Sequence, residues 1–290
     1  MIRRLVERIF KKQDKNPLIK DFVKYHKHTK DAEIQSMISY IKAHETFDMM
    51  NCELSKDYTA LEVESAFDSN EGLYYVWHEG KKVYFKKGFS EQQVIQSFKA
   101  LVKEQDEKSP HRYLSKQDIM EIESYKAAGG AIRVFECGGM EGMFSLNLVD
   151  MVDEIYIFEC DKDWIDALKC TFAPYKEKVH LVNAYVADGE GETVSLDSYT
   201  ECLDIKTLGI VKMDIEGAEI RALKGMKKFM EKAANFKLFV CTYHRQNDEQ
   251  LVREICKQYE IIANKGYFCF FVDPEYAPPF VRRCLLKVKK

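Results

Sequence analysis

The sequence predicts an α/β fold: a mainly parallel sheet with a C-terminal antiparallel hairpin, preceded by a helical N-terminal extension that contains a small β-hairpin. Three observations predict it. After Gly129-Gly130, short apolar runs alternate with amphipathic stretches, the pattern of a parallel sheet covered by helices on both faces. Apolar runs there end in carboxylates, as in Val134-Phe135-Glu136 and Ile157-Phe158-Glu159, which places polar chemistry at the carboxyl end of the strands. Before Gly129 the chain is charged and largely helical in pattern.

The elements follow in order. Ile2, Leu5, Val6, Ile9 and Phe10 share one face of an opening helix ringed by Arg3, Arg4, Arg8, Lys11 and Lys12. Such a short helix with one apolar stripe is expected to dock on the protein or on a second subunit, a homodimer, in preference to a membrane surface. Runs from Gly72 to Trp77 and from Lys82 to Phe85 flank His78-Glu79-Gly80-Lys81 and predict a hairpin. Ser90 with Gln93 forms a capping box that opens a helix through about Glu104. Glu104 to Tyr113 reads as a polar connector. Strands are expected over Ile132–Cys137, Glu154–Cys160, Val179–Val186, Leu208–Asp214 and Phe236–Tyr243. Helices are expected over Met143–Met151, Asp163–Phe172, Ala218–Ala233 and Asp248–Tyr259. Glu260–Ala263, the turn Asn264-Lys265-Gly266 and Tyr267–Val272 predict the antiparallel hairpin. Residues 1–126 are thus an extension expected to contact substrate or a second subunit, and residues 127–290 a ligand-binding domain.

Composition narrows the function. The chain has 290 residues, 46% hydrophobic and 31% charged, ordinary values for a water-soluble globular protein. With 44 basic and 47 acidic residues the net charge is -3, so no general grip on nucleic acid is expected. The basic set Arg282, Arg283, Lys287, Lys289 and Lys290 reads as a solvated strand edge. Nine cysteines contain no C-x-x-C pair, which argues against a zinc ribbon and for free thiols in a reducing cytoplasm. The start MIRRLVERIFKK lacks the apolar core of a secretory signal. No stretch reaches the roughly 18 consecutive apolar residues of a membrane span.

Chemistry gathers at the strand ends. Glu136 closes the first strand, and Gly138, Gly139 and Gly142 follow. Glycines let backbone turn tightly and approach a ligand, but the spacing is neither G-x-G-x-x-G nor a P-loop. A carboxylate here disfavours a pyrophosphate and suits a cationic group. Glu159 ends the second strand, where an acid accepts both hydroxyls of a ribose. Asp188, after the third strand, is placed to accept from an adenine amine. Together these describe an adenosine pocket without a phosphate cradle, which S-adenosylmethionine satisfies, its tail ammonium meeting Glu136. The fourth strand ends in Asp214, Glu216 and Glu219. Glu219 in a first turn complements the helix dipole, whereas crowded Asp214 and Glu216 call for a ligand, metal or base role. His244, at the end of the fifth strand, joins that rim.

Four segments, VFECGGMEGMFS, IFECD, VSLDSY and VKMDIEGAEIRALKG, carry a resemblance to the FkbM family of S-adenosylmethionine-dependent methyltransferases over roughly residues 130 to 273. The last segment is similar to the family's K-x-D-x-E-G-x-E-x-x-x-L-x-G hallmark. Glu136 stands where the family usually has aspartate, and Cys160 where proline is common. The resemblance implies a class I methyltransferase (Rossmann-like) fold that methylates a hydroxyl oxygen on a sugar, glycan or natural-product acceptor. A hydroxyl nucleophile must lose its proton, so His244 or Asp214 is the expected base, with Glu216 orienting substrate or base. The expected cofactor-binding set is Glu136, Gly138, Gly139, Gly142, Glu159, Asp188 and Asp214. Asp214, Glu216 and His244 could instead hold a divalent ion, as some related sugar methyltransferases use magnesium. A nicotinamide oxidoreductase lacks its fingerprint. A non-catalytic scaffold and an RNA methyltransferase are the remaining rivals.

Overall fold

The computed structural model describes residues 16–200 and 207–290. The opening helix expected over the first twelve positions lies outside the described residues. Helices α1 (Asn16–Tyr25) and α2 (Ala32–His44) pack around Phe22, Ile34, Met37, Ile41 and Phe47, together with Cys269 and Val281 from far along the chain. Three antiparallel strands follow: β1 (Ser65–Asp68), β2 (Leu73–His78) and β3 (Lys81–Tyr84). The expected hairpin is β2–β3, and β1 extends it to three strands. Helix α3 (Glu91–Glu104) opens with the Ser90/Gln93 capping box, and α4 (Lys116–Ala127) with a second box from Ser115 and Asp118.

The main sheet begins with β4 (Ile132–Cys137), α5 (Met143–Leu148), β5 (Glu154–Glu159), α6 (Lys162–Phe172) and β6 (Val179–Asn183). A small parallel pair, β7 (Tyr185–Val186) and β8 (Thr193–Val194), leads to α7 (Leu196–Thr200). Then come β9 (Leu208–Met213), α8 (Glu219–Lys224), α9 (Lys227–Lys232), β10 (Asn235–Cys241), α10 (Asp248–Ile255) and β11 (Glu260–Ala263). The chain finishes with β12 (Tyr267–Phe268), β13 (Arg282–Arg283) and β14 (Leu285–Lys289). The seven-stranded sheet has the order β11-β14-β10-β9-β4-β5-β6. Five neighbouring strands are parallel and β14 is antiparallel to both its neighbours. Strand alternation sorts side chains between two cores. On β4, Ile132 and Val134 join the core shared with β2, β3 and α3. Phe135 and Cys137 join the core under α8 and α9. This is the class I methyltransferase-type sheet the motifs imply.

Four expectations are corrected. The third strand stops at Asn183, and Tyr185-Val186 turns away to pair with Thr193-Val194. The single helix expected over Ala218–Ala233 breaks at Gly225, where any Cβ would lie 2.2 Å from the Ala187 carbonyl oxygen. The hairpin partner of β11 is β14, while Tyr267-Phe268 pairs with Arg282-Arg283. The basic C-terminal segment is no solvated edge. Leu285, Leu286 and Val288 are buried inside the sheet, and Arg282 is only 4% exposed. Lys287 is paired with Asp118 of α4. Among the described residues no helix is long and apolar enough to cross a membrane.

Candidate active site

Asp214 follows the last residue of β9 and forms the centre of the site. The Tyr113 hydroxyl donates to its Oδ2 at 2.8 Å, and the Tyr243 hydroxyl donates to Oδ1 at 3.0 Å. Two imidazoles flank it: His111 Nε2 lies 3.9 Å from Oδ2, and His244 Nε2 lies 3.6 Å from Oδ1. Burial alone would favour the protonated acid. Lys212, His244 and His111, with the Tyr113 hydrogen bond, instead hold the carboxyl well below the usual carboxylate range. Burial and the Asp214 charge push both phenols well above their ordinary range, so they remain donors.

His244 is 8% exposed and gripped on both sides. Nδ1 lies 2.9 Å from Oε1 of Glu219, a carboxylate with 0% exposure that also accepts the Ile215 N–H. Nε2 faces Asp214 and, at 3.9 Å, Glu216. Arg282 donates to the carbonyl oxygens of Tyr243 and His244, which ties this corner to β13. Burial lowers the basicity of His244, but Glu219, Asp214 and Glu216 outweigh it and raise the pKa to about 9. Glu216 is half-exposed and sits at φ 56, a left-handed conformation that costs a non-glycine residue energy. The hallmark turn thus holds Glu216 strained above Asp214 while Glu219 turns inward.

Glu136 lies beneath, 1% exposed. Its Oε2 accepts the Ser145 N–H, and its Oε1 faces the Lys212 ammonium at 3.4 Å. Lys212 also donates to the Gly138 carbonyl oxygen at 2.7 Å. Burial would strip its proton, but Glu136 and Asp214 raise its pKa and keep it charged. Gly138 sits at φ +82 and passes so close to Asp214 that a Cβ would fall 2.0 Å from the Asp214 carbonyl oxygen. Gly139 and Gly142 have packing reasons of their own, against Ile157 and against Leu168 and Phe172. Glu159, 6% exposed, accepts the backbone N–H groups of Met140 and Asp161, which ties the glycine loop to the end of β5. Asp188 lies beyond the end of β6, and Arg221 of α8 grips both its oxygens at 2.7 and 3.1 Å. The structure gathers Glu136, Asp214, Glu216 and His244 around one centre. Among the described residues Asp188 makes no hydrogen bond or ion pair with any of them.

The family model described as the methyltransferase FkbM domain matches residues 176–269. That stretch holds β6 through β12, with Asp188, Asp214, Glu216, Glu219 and His244. Over these residues the chain resembles a methyltransferase FkbM domain. No curated protein matches the chain. Among solved structures it is similar to an rRNA methylase from Streptococcus thermophilus, at 12% identity, 61% of this chain, 99% of that one and a TM-score of 0.39. The bifunctional kinase-methyltransferase WbdD is similar at 16% identity, 59% of this chain, 38% of that one and a TM-score of 0.38. M. jannaschii TYW2 in complex with AdoMet is similar at 10% identity, 75% of this chain, 85% of that one and a TM-score of 0.37.

The site draws residues from outside the matched stretch. His111 and Tyr113 come from the segment read as a polar connector, yet they are 3% and 7% exposed. Their one sequence signal is a histidine and a tyrosine beside Pro110 in an otherwise charged stretch. Among the described residues, two sets of donor atoms lie within 4.8 Å of one another and could hold a metal: His111, Asp214 and Cys241, and Asp214, Glu219 and His244. In the first, the Tyr113 hydroxyl already lies 2.8 to 3.4 Å from all three partners. In the second, Glu219 takes the place expected of Glu216.

The His244 charge makes the stability of the fold depend on pH. Its folded pKa, about 9, exceeds the ordinary 6.5. The stabilisation is therefore complete below pH 6.5 and is lost as pH rises through about 9, on the order of 3 kcal/mol. Urea unfolding of wild type and His244→Gln across that window should show the decline in wild type alone. Parallel pH profiles would refute it.

Proposed function

We propose that the FkbM domain methylates a hydroxyl oxygen on a sugar, glycan or natural-product acceptor. The observation that carries this reading is the anionic rim of Asp214, Glu216 and Glu219 around a buried, protonatable His244. S-adenosylmethionine, when bound, supplies a methyl carbon whose bond to sulfur breaks, the electron pair staying on sulfur, as a nucleophile's oxygen takes it. The residues present fit that cofactor. The glycine loop has no room for a side chain at Gly138. Glu159 at the end of β5 is placed to accept ribose hydroxyls through its remaining lone pairs.

The chain's own task is the proton. Asp214 is a poor base, held far below the usual carboxylate range with both oxygens taken by phenols. His244 is the better one: in its neutral form Nε2 accepts the hydroxyl proton, and Glu219 and Asp214 stabilise the imidazolium formed. Glu216 orients the acceptor. Within this reading residues 127–290 bind cofactor and residues 1–126 add His111, Tyr113 and acceptor contacts. The unpaired cysteines, most of them buried, favour a reducing compartment.

The test is calorimetric titration of S-adenosylhomocysteine into wild type and Glu159→Ala. The variant should lose about 1.5 kcal/mol or more of binding. Equal affinities would remove Glu159 from the ribose site, and no binding to folded wild type would leave a scaffold with the fold alone.

A further inference from the structure

We propose that Glu141, inside the glycine loop, takes the α-ammonium group of the cofactor's amino acid tail. The inference rests on the cofactor reading above and moves the role expected of Glu136 to a different residue. A buried ammonium group needs a charged acceptor. Of the acids beside the glycine loop and the end of β9, Glu219 is held by His244 and the Ile215 N–H, Glu216 is half-exposed beside His244, and three more are engaged. Glu136 holds the Ser145 N–H and faces Lys212. Glu159 holds the N–H groups of Met140 and Asp161. Asp214 holds two phenols.

Of these, Glu141 keeps the most acceptor capacity. It lies between Gly138 and Gly142, 5% exposed. Among the described residues its carboxyl has no hydrogen bond or ion pair with another residue, only a hydrogen bond with its own backbone N–H. The charged groups around it are Lys212 of β9, Glu104 at the end of α3 and Glu136 of β4. A buried carboxyl with no hydrogen bond beyond its own backbone is unfavourable, and a ligand's cation would offset that. Gly138, three residues earlier in the loop, nearly touches Asp214, so an ammonium group at Glu141 leaves the rest of an adenosyl ligand beside the site centre.

The placement has a protonic consequence. Burial pushes the Glu141 pKa up to about 7; its own N–H and Lys212 act against this, and Glu104 and Glu136 add to it. Near neutral pH the carboxyl is part protonated, yet an ammonium ligand needs it ionised. Tail binding therefore weakens as pH falls below about 7 and releases a proton there.

The experiment compares two ligands on the full chain by calorimetry. S-adenosylhomocysteine carries the tail, and 5′-methylthioadenosine lacks it. Glu141→Gln should bind S-adenosylhomocysteine about tenfold or more weakly and methylthioadenosine as wild type does, which also reports that the variant is folded. Equal S-adenosylhomocysteine affinities, or an equal loss for both ligands, would overturn the proposal. Wild type binding neither ligand would overturn the cofactor reading and this inference with it. Should Glu141→Gln not fold, wild type decides: in buffers of different ionisation enthalpy, S-adenosylhomocysteine should release about half a proton more than methylthioadenosine at pH 7. Equal release would count against Glu141.

Discussion

Glu136→Ala should destabilise the folded chain by about 3–5 kcal/mol, the cost of leaving a buried charge without its partner. The Lys212 ammonium would keep the Gly138 carbonyl and the Asp214 charge but lose Glu136, the stronger of its two anionic partners, near the carboxyl end of β9. The Ser145 N–H, whose acceptor is Glu136, would lose it as well. At this chain length the loss corresponds to a melting temperature lower by roughly 10 °C. The double variant Glu136→Leu with Lys212→Met removes both charges and should recover most of it, since buried pairs are often replaced by apolar groups without penalty. A single variant that melts with wild type would show that the pair is not a stability element. Thermal denaturation followed by circular dichroism suffices, and no acceptor is required.

The largest effect on turnover is expected at Asp214. Asp214→Asn keeps the shape but presents an NH2 donor where a phenol now donates. At least one of Tyr113 and Tyr243 must turn. The variant also removes a charge that helps raise the His244 pKa. Turnover should fall by roughly 100-fold or more, and the pH at which His244 titrates should move down, readable by NMR of the imidazole without any acceptor. S-adenosylhomocysteine binding should change far less than turnover. Full activity in Asp214→Asn, with the first acceptor that supports turnover, would remove Asp214 from the mechanism.

The strands were legible where local pattern decides them. Ile132–Cys137 matches residue for residue, and Glu154–Glu159 and Leu208–Met213 stop one residue short of the expected ends. An apolar run closed by a carboxylate marks the point where a buried strand meets a polar rim. Pairing between distant segments was not legible. Leu285–Lys289 looked like a basic tail because its lysines are read before its partners are known, and Asp118, which neutralises Lys287, lies 169 residues away. The same applies to the site. Asp214, Glu216 and His244 stood out as acids and an imidazole at strand ends. Tyr113 became visible only when folding carried it 101 residues along the chain to Asp214. Glu219 was read as a helix-dipole complement because sequence cannot say which way a first-turn glutamate points. The structure turns it inward onto His244.

The position of β14 governs how the sheet can be assembled during synthesis. It lies between β10 and β11, though it follows both in sequence. Until residues 285–289 leave the ribosome, β10 has one edge of unpaired N–H and C=O groups beside Leu238, Phe239 and Val240, and β11 lacks the strand it pairs with. A nascent chain thus carries an adhesive apolar edge that its own later residues must cover before another strand does.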